Sequence, residues 1–535
     1  MEIKNLFKAS AIATALLLAG CGGDINITPT VNDNSVDNSV DNSVTNPATS
    51  GVDVSCASYE GGAGVVEGIY DGQDCLYNDS FASKNISITT NITFEELPQS
   101  GVHLFEDALQ IGDDGDTTAN FTIPTNGPTM TVNPGATLAF KSGEAIIRIA
   151  RGAKIQAVGT SSKPITFTSA FAYDRFDIEG KGPLYADWGG IIINGNGITD
   201  QCTDAERAAA TCNVPSEGIT SYFGGNDNAD SSGNIKWAKV WYAGSGPKVG
   251  GEGDDLNSLT LNAVGSGTEF DYLHIHQGFD DGIEIFGGAS TIKHIVVTDT
   301  QDDSFDFDAG WQGKAQFLFI KHGTVTTRDG AEVFMGNGGF EADGVKGQSS
   351  AEVSPSNPTI ANVTVITTDG LSARDGDASI AFKFDDSFNA SFYNVLMTKT
   401  IALQSACISF SSDGEKQADK ISFNNSVMAC AAEFNDPDGT FNSGSEPASL
   451  SATLLTDWFD GTSSQRIAET SSVLAADGFA TNTMSTDITI TPNDLSTLDT
   501  DFFDGASYIG AVSDQDSSSS WYKWVETALN AAEQD

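Results

Sequence analysis

Basic residues are scarce in this 535-residue chain: 26 Lys and Arg stand against 73 Asp and Glu, a formal net charge of −47. Affinity for nucleic acid comes mostly from Lys and Arg on phosphates, so nucleic acid is excluded as a partner. Helical periodicity is almost missing between residues 55 and 510, which leaves a nearly all-β reading. No Gly-x-Ser-x-Gly, P-loop or Rossmann fingerprint occurs, and the Gly-rich stretches read as turns. Long apolar runs are missing as well. The one near the N-terminus, Ala9–Ala19, is too short to span a bilayer. What is abundant is consistent with this: 56 Gly imply many tight turns, while 31 Phe and 39% hydrophobic residues allow a sizeable core. A surface this acidic attracts divalent cations and stays soluble in salt.

The N-terminus carries an address. Lys4 and Lys8 precede the apolar run, which closes on Leu18-Ala19-Gly20-Cys21. A short basic segment followed by a brief apolar one is a secretory signal. Its last four residues resemble a bacterial lipobox, which implies cleavage before Cys21 and lipidation there. Gly22 follows, rather than an inner-membrane-retaining Asp, so the resemblance places the anchor in the outer membrane. The body then faces either the periplasm or the medium. Residues 1–20 are therefore expected to be a signal peptide. Residues 21–54, with Asp-Asn-Ser-Val repeated at 33–36, 37–40 and 41–44 (first as Asp33-Asn34-Ser35-Val36), are expected to be a disordered tether.

Six further cysteines form three local couples: Cys56 and Cys75, Cys202 and Cys212, Cys407 and Cys430. An even count in an exported chain favours disulfides, and nearest-neighbour pairing is the simplest connectivity. Zinc is the alternative, but no Cys-x-x-Cys supports it.

Short alternating runs recur from residue 55 onward: Ile283-Glu284-Ile285, Phe305-Asp306-Phe307, Phe317-Leu318-Phe319, Phe382-Lys383-Phe384. Leu273 to Ile295, Ile283 to Phe305 and Ile295 to Phe317 are each 22 residues. Several short strands in a period of about 20–25 residues are what one rung of a β-solenoid needs. A right-handed parallel β-helix over 135–510 is the expected fold, with 55–134 as an N-terminal cap region. In the last segment, 511–535, Trp521, Trp524, Val525, Ala528 and Leu529 lie on one helical face, an amphipathic cap helix expected to cover the solenoid's end.

Two acidic motifs carry a family likeness. Asp280-Asp281-Gly282-Ile283-Glu284-Ile285-Phe286-Gly287-Gly288, followed by Asp302-Asp303-Ser304-Phe305-Asp306-Phe307-Asp308-Ala309-Gly310-Trp311, resembles a group of bacterial surface lipoproteins. So do Asn257-Ser258-Leu259-Thr260-Leu261 and Tyr508-Ile509-Gly510-Ala511. The resemblance implies a right-handed parallel β-helix of the pectate-lyase-like kind at the cell surface. It supplies no established catalytic residues.

Residues one rung apart stack about 4.8 Å apart, so Asp280 over Asp302 and Glu284 over Asp306 would repel. Protonation, or cations between them, would relieve this. Asp280, Asp281, Glu284, Asp302, Asp303, Asp306 and Asp308 form a hard-oxygen set suited to Ca²⁺. The competing reading is that Asp sits at turns because it makes Asx-turns there. His274, His276, His294 and His322 cluster in sequence but offer no complete metal-ligand pattern. Pectate-lyase-like enzymes pair Ca²⁺ carboxylates with a base, for which Arg328, Lys314 and Lys321 are candidates, with Glu341 and Asp343 as further acids. Trp188, Trp237, Trp241 and Trp311 could stack on sugars or fill core and turns. The expected function is a non-catalytic, outer-membrane-anchored binding scaffold whose partner is a glycan or an outer-membrane receptor. The alternative is a Ca²⁺-dependent polysaccharide lyase or hydrolase.

Overall fold

The computed structural model describes residues 54–113, 122–246 and 255–346, and most of 354–442 and 452–532. The expected signal peptide, Cys21 and the expected tether through residue 53 lie outside the described residues.

Alternation within each run turns one apolar set inward and the next residue outward. The short strands Leu259–Asn262, Ile283–Phe286, Phe305–Asp308, Gly338–Ala342 and Ile380–Phe384 follow one another in chain order within a single parallel sheet of 11 strands. Longer strands, among them Glu269–His276, Thr291–Thr298, Lys314–Lys321, Thr359–Thr367 and Ala390–Lys399, alternate with them and pair in parallel in a second sheet. This is a parallel β-helix. Ile283 pairs with Phe305 and Glu284 with Asp306, the 22-residue step read from the sequence. Leu273 pairs with Ile295 by the same step, but Ile295 pairs with Leu318, not Phe317, because this rung is one residue longer.

Inside, Phe residues stack from rung to rung. Phe340 lies 4.7 Å from Phe382 at 7°, and Phe392 lies 4.8 Å from Phe423 at 14°. Offset aromatic stacking adds about 0.5–1.5 kcal/mol per pair beyond the burial itself. The three disulfides join Cys56–Cys75, Cys202–Cys212 and Cys407–Cys430, with Cα separations of 5.5, 5.6 and 6.2 Å. Nearest-neighbour pairing holds throughout.

Each long strand bends at one residue with left-handed backbone, Trp237, Tyr272, His294, Phe317, Asn362 and Asn394, and Asn425 makes the same bend between the short strands Ile421–Asn424 and Val427–Ala429, all with φ between 50° and 61°. That conformation costs a bulky L-residue about 1–2 kcal/mol. Here the bend aims the four rings outward into one stack, Trp237 to Tyr272 at 3.7 Å, Tyr272 to His294 at 4.4 Å and His294 to Phe317 at 4.8 Å. Asn tolerates the conformation better, and the three Asn bind the returning C-terminal segment. Gly510 N donates to Asn394 O, Asn362 Nδ2 to Tyr508 O, and Asn425 Nδ2 to Thr491 O.

The expected C-terminal helix is Ser520–Ala532, and it buries the expected Trp521, Trp524, Val525, Ala528 and Leu529. It covers the flank rather than the end, lying against Glu269–His276 and Thr291–Thr298, with Trp524 Nε1 donating to Leu273 O at 3.2 Å. The last rungs are closed instead by a second helix, Ala452–Asp460. Its Trp458 and Phe459 pack on Phe423 and Phe434, and Trp458 also meets Phe410 and Phe441. Parallel pairing begins at Cys75–Tyr77 on His103–Phe105, within the region expected to be a cap. Strands of two or three residues there are too short for alternation to reveal them.

Candidate functional site: an acidic ladder

On the outer face of the 11-stranded sheet, Thr260, Glu284, Asp306, Glu341, Lys383 and Ser409 occupy one register position on successive rungs. The turns entering these strands add a second acidic column. Asp303 N donates to Asp281 Oδ1 at 2.9 Å, which fixes one turn above the next. Asp280 and Asp302 lie beside them, and Asp308 and Asp343 follow the strand carboxylates. All seven residues expected to form a cation site, with Glu341 and Asp343, are thus drawn together. Among the described residues, oxygens within 4.8 Å of one another occur in three triads: Asp280–Asp281–Asp302, Asp281–Glu284–Asp306 and Asp306–Glu341–Asp343.

Three cations from later in the chain answer part of this charge. Arg374 pairs with Asp280 and, at 3.0 Å, with Asp302. Lys383 sits 3.1 Å from Asp303 and 2.8 Å from Glu341. Lys346 lies 4.0 Å from Glu284 and 3.6 Å from Asp308. Each cation spans carboxylates from two successive rungs. Asp306 is left over. It is 5% exposed, its Oδ1 has no hydrogen-bond partner, and among the described residues it forms no ion pair. An unpaired buried carboxylate of this kind costs several kcal/mol unless it takes up a proton or a cation.

The electrostatics follow from this burial. Burial, and then Glu284 and Glu341, push the Asp306 carboxyl well above its ordinary range. Burial, with Glu284 and Asp280 adding to it, does the same for Asp281. Burial outweighs Arg374 at Asp280, raising it to about 7, and burial together with Glu341 raises Asp343 to about 8. Glu217, on the insertion between residues 195 and 232, adds repulsion to Glu284. Burial disfavours the charged Lys383, but Asp303 and Glu341 overcome it and hold the ammonium protonated well above its usual range.

The groove has further walls. Tyr185 stacks on Phe279 at 5.9 Å, and Arg374 lies 5.5 Å over the Phe279 ring. A 170 Å³ cavity beside the ladder is lined by Asn337, Glu341, Asp377, Lys383 and Ser409.

The basic residues expected to act here sit elsewhere. Arg328 forks onto Asp187 at 2.6 and 2.7 Å, Lys314 pairs with Asp499, and Lys321 ends its strand beside Thr298. Arg374, Lys346 and Lys383 were missed, although Lys383 lies in the noted Phe382-Lys383-Phe384 run. The histidines are spoken for. His274 Nδ1 accepts from Trp241 Nε1 at 3.2 Å and its Nε2 meets Thr298 Oγ1 at 3.0 Å, leaving no ring nitrogen for a metal. His322 bonds Ser304 and Ser379. His294 is the ring in the flank stack and meets Asp271 at 2.8 Å. Trp188 and Trp311 are core residues, and Trp237 belongs to the flank. Of the four Trp, only Trp241 stays half-exposed on an outer strand face away from the flank.

Residues 114–470 match the family model described as a pectate-lyase like beta helix domain. The chain belongs to that family. No curated protein and no solved structure matches it. Family membership states the fold and leaves the chemistry to the ladder, which offers hard oxygen donors in excess of its own cations.

Proposed function

We propose that this β-helix is a lipid-anchored, non-catalytic binding protein of the outer membrane whose acidic groove holds Ca²⁺ and, beside it, a glycan. The observation that carries the reading is Asp306, a buried carboxylate whose Oδ1 has no hydrogen-bond partner, between two pairs of further acids. Ca²⁺ takes about six to eight oxygens at about 2.3–2.6 Å, a demand that carboxylates crowded to this degree suit. The Tyr185–Phe279 face and the cavity beside Lys383 supply an apolar and a polar surface of the kind sugars use. Binding is preferred to lysis because the basic side chains that the described residues bring to the groove are engaged by its acids. Arg374, Lys346 and Lys383 are each paired with two carboxylates. A protonated, paired ammonium does not abstract a sugar proton.

The second reading is a Ca²⁺-dependent lyase or hydrolase, favoured by carboxyls that titrate near neutrality at Asp280 and Asp343. Incubating the protein with a glycan panel and Ca²⁺, while following unsaturated products and reducing ends, separates the two. Binding without products is expected. Sustained turnover that is lost in Asp303→Ala and Asp306→Ala would replace the binding reading with the enzymatic one.

Anchoring rests on the Leu18-Ala19-Gly20-Cys21 motif. Several acyl chains on one Cys hold a protein stably, where one chain gives only marginal binding. Cys21→Ala should therefore remove the protein from the outer-membrane fraction. Unchanged fractionation would sink this part of the proposal.

A further inference from the structure

The 170 Å³ cavity beside the ladder carries more acid than it neutralises. Glu341, Asp377 and Asp385 line it together with Lys383. Lys383 is committed to Asp303 and Glu341. Asp377 and Asp385 form no ion pair among the described residues, and neither belongs to a triad of the ladder. A cation held by the ladder therefore leaves their charge in place. Neutral donors meet them instead. Asn337 Nδ2 lies 3.5 Å from Asp377 Oδ2, and Ser411 Oγ donates to Asp385 Oδ1. Lys416 donates to the same Ser411, at 3.0 Å to O and 3.2 Å to Oγ, and so stands one hydroxyl away from Asp385.

The rest of the cavity suits a sugar ring rather than a bare ion. An engineered cavity of about 150 Å³ takes one benzene, so this one takes a single six-membered ring. Ser409 and Asn337 offer a hydroxyl and an amide, and Ile380 an apolar side. On the rim, Leu371 bridges to Ala378, which lines the cavity, and is 61% exposed. Phe334, 38% exposed, lies against the neighbouring Gly370. These two adjoining side chains form an apolar shoulder of the kind that the less polar face of a sugar covers.

We propose that the glycan beside the ladder carries free amines, with a protonated amino sugar in this cavity, its ammonium paired with Asp377 and Asp385 and its hydroxyls met by Ser409 and Asn337. This names the ligand class of the proposed glycan site and rests on that reading. Charge at long range agrees with the local charge, since a chain of net charge −47 attracts a polycation and repels polyuronates and sulfated glycans. N-acetylation removes the positive charge and leaves both carboxylates without an ion partner. Further sugars of an oligomer continue over Leu371 and Phe334.

The test is calorimetric titration of the full-length protein, in slightly acid buffer with saturating CaCl₂. Three tetramers are compared: glucosamine, N-acetylglucosamine and galacturonate. The glucosamine tetramer should bind tighter than the N-acetylated one by about tenfold or more, the usual worth of a charge-assisted pair, and galacturonate weakest of all. Asp377→Asn with Asp385→Asn should bring glucosamine down to the level of the N-acetylated tetramer. The Ca²⁺-induced rise in melting temperature should survive in that variant, which also shows that it folds; should it not fold, Asp377→Asn alone, at an exposed position, should weaken glucosamine in the same direction. Equal affinity for the free and acetylated amines, tighter galacturonate, or unchanged glucosamine binding in the variants would overturn the amine and leave the glycan site standing. Binding of none of the three also overturns it, and if the wider glycan panel binds nothing, the glycan reading falls with it.

Discussion

Two stacks of side chains climb the outside of this solenoid, and they end differently. On the flank, Trp237, Tyr272, His294 and Phe317 lie ring on ring, and the C-terminal helix seals them with Trp521 and Trp524. In the groove, Glu284, Asp306 and Glu341 lie carboxylate on carboxylate, with three cations and no complete seal. A parallel β-helix superimposes each residue on its equivalent one rung on, whatever its chemistry. Rings gain from that and can be closed from within the chain. Carboxylates lose from it, and the deficit left at Asp306 must be met by a proton or by something from outside. Stacking as such is neutral, and it is the unmet stack on which the proposed function rests.

Breaking the closed stack should have the largest effect. Trp524 is 5% exposed, meets Trp237 edge-on at 5.4 Å and donates its indole N–H to Leu273 O. Trp524→Ala should cost about 3–5 kcal/mol, the usual range for emptying a buried aromatic site. Urea unfolding followed by tryptophan fluorescence and circular dichroism would measure it. The response to Ca²⁺ should be unchanged, because the ladder lies on the other sheet. A loss of that response would mean that the two stacks are coupled, and the contrast between them would fail.

The same contrast explains what could be read from residues alone. Period and alternation are local, so the rungs were legible, down to Ile283 on Phe305 and Glu284 on Asp306. Phe317 slipped by one because its bend residue has no signature in a run of alternating Phe and Leu. The face of the C-terminal helix was legible for the same local reason, but its seat was not, since contacts about 250 residues distant leave no trace in periodicity. The carboxylates of the site were legible as a cluster, whereas their cations were not. Arg374 reaches Asp280 across 94 residues, and Lys383 reaches Asp303 across 80. Sequence proximity pointed to Arg328 and Lys314, which serve Asp187 and Asp499 instead. In a solenoid, distance along the chain must be counted in rungs, and the insertions after residues 195 and 343 make the rungs unequal.

A smaller effect, in the open stack, should appear as a pH dependence of the ion-free protein. Unfolded Asp and Glu titrate near 3.9 and 4.3. In the folded chain Asp280 is raised to about 7 and Asp343 to about 8, with Asp281, Glu284, Asp303 and Asp306 also raised. Between about pH 4 and pH 8 the native state therefore holds more protons than the unfolded one, and stability falls as pH rises across that window. This is opposite in sign to the usual salt-bridged carboxylate, whose contribution is lost as pH falls. The loss should be on the order of 1–3 kcal/mol, the cost of a buried polar group without a partner, rather than a sum over six groups, because protonating one relieves its neighbours. Chelator-treated protein should accordingly melt at a higher temperature at pH 5 than at pH 8. Millimolar Ca²⁺ should raise the pH 8 value more than the pH 5 value, since the ion competes with protons for the same oxygens. Asp306→Asn should flatten the ion-free profile, and NaCl of matched ionic strength should not reproduce the Ca²⁺ shift. If the melting temperature rises from pH 5 to pH 8 without Ca²⁺, the ladder is already satisfied by Arg374, Lys346 and Lys383, and it is as closed as the flank.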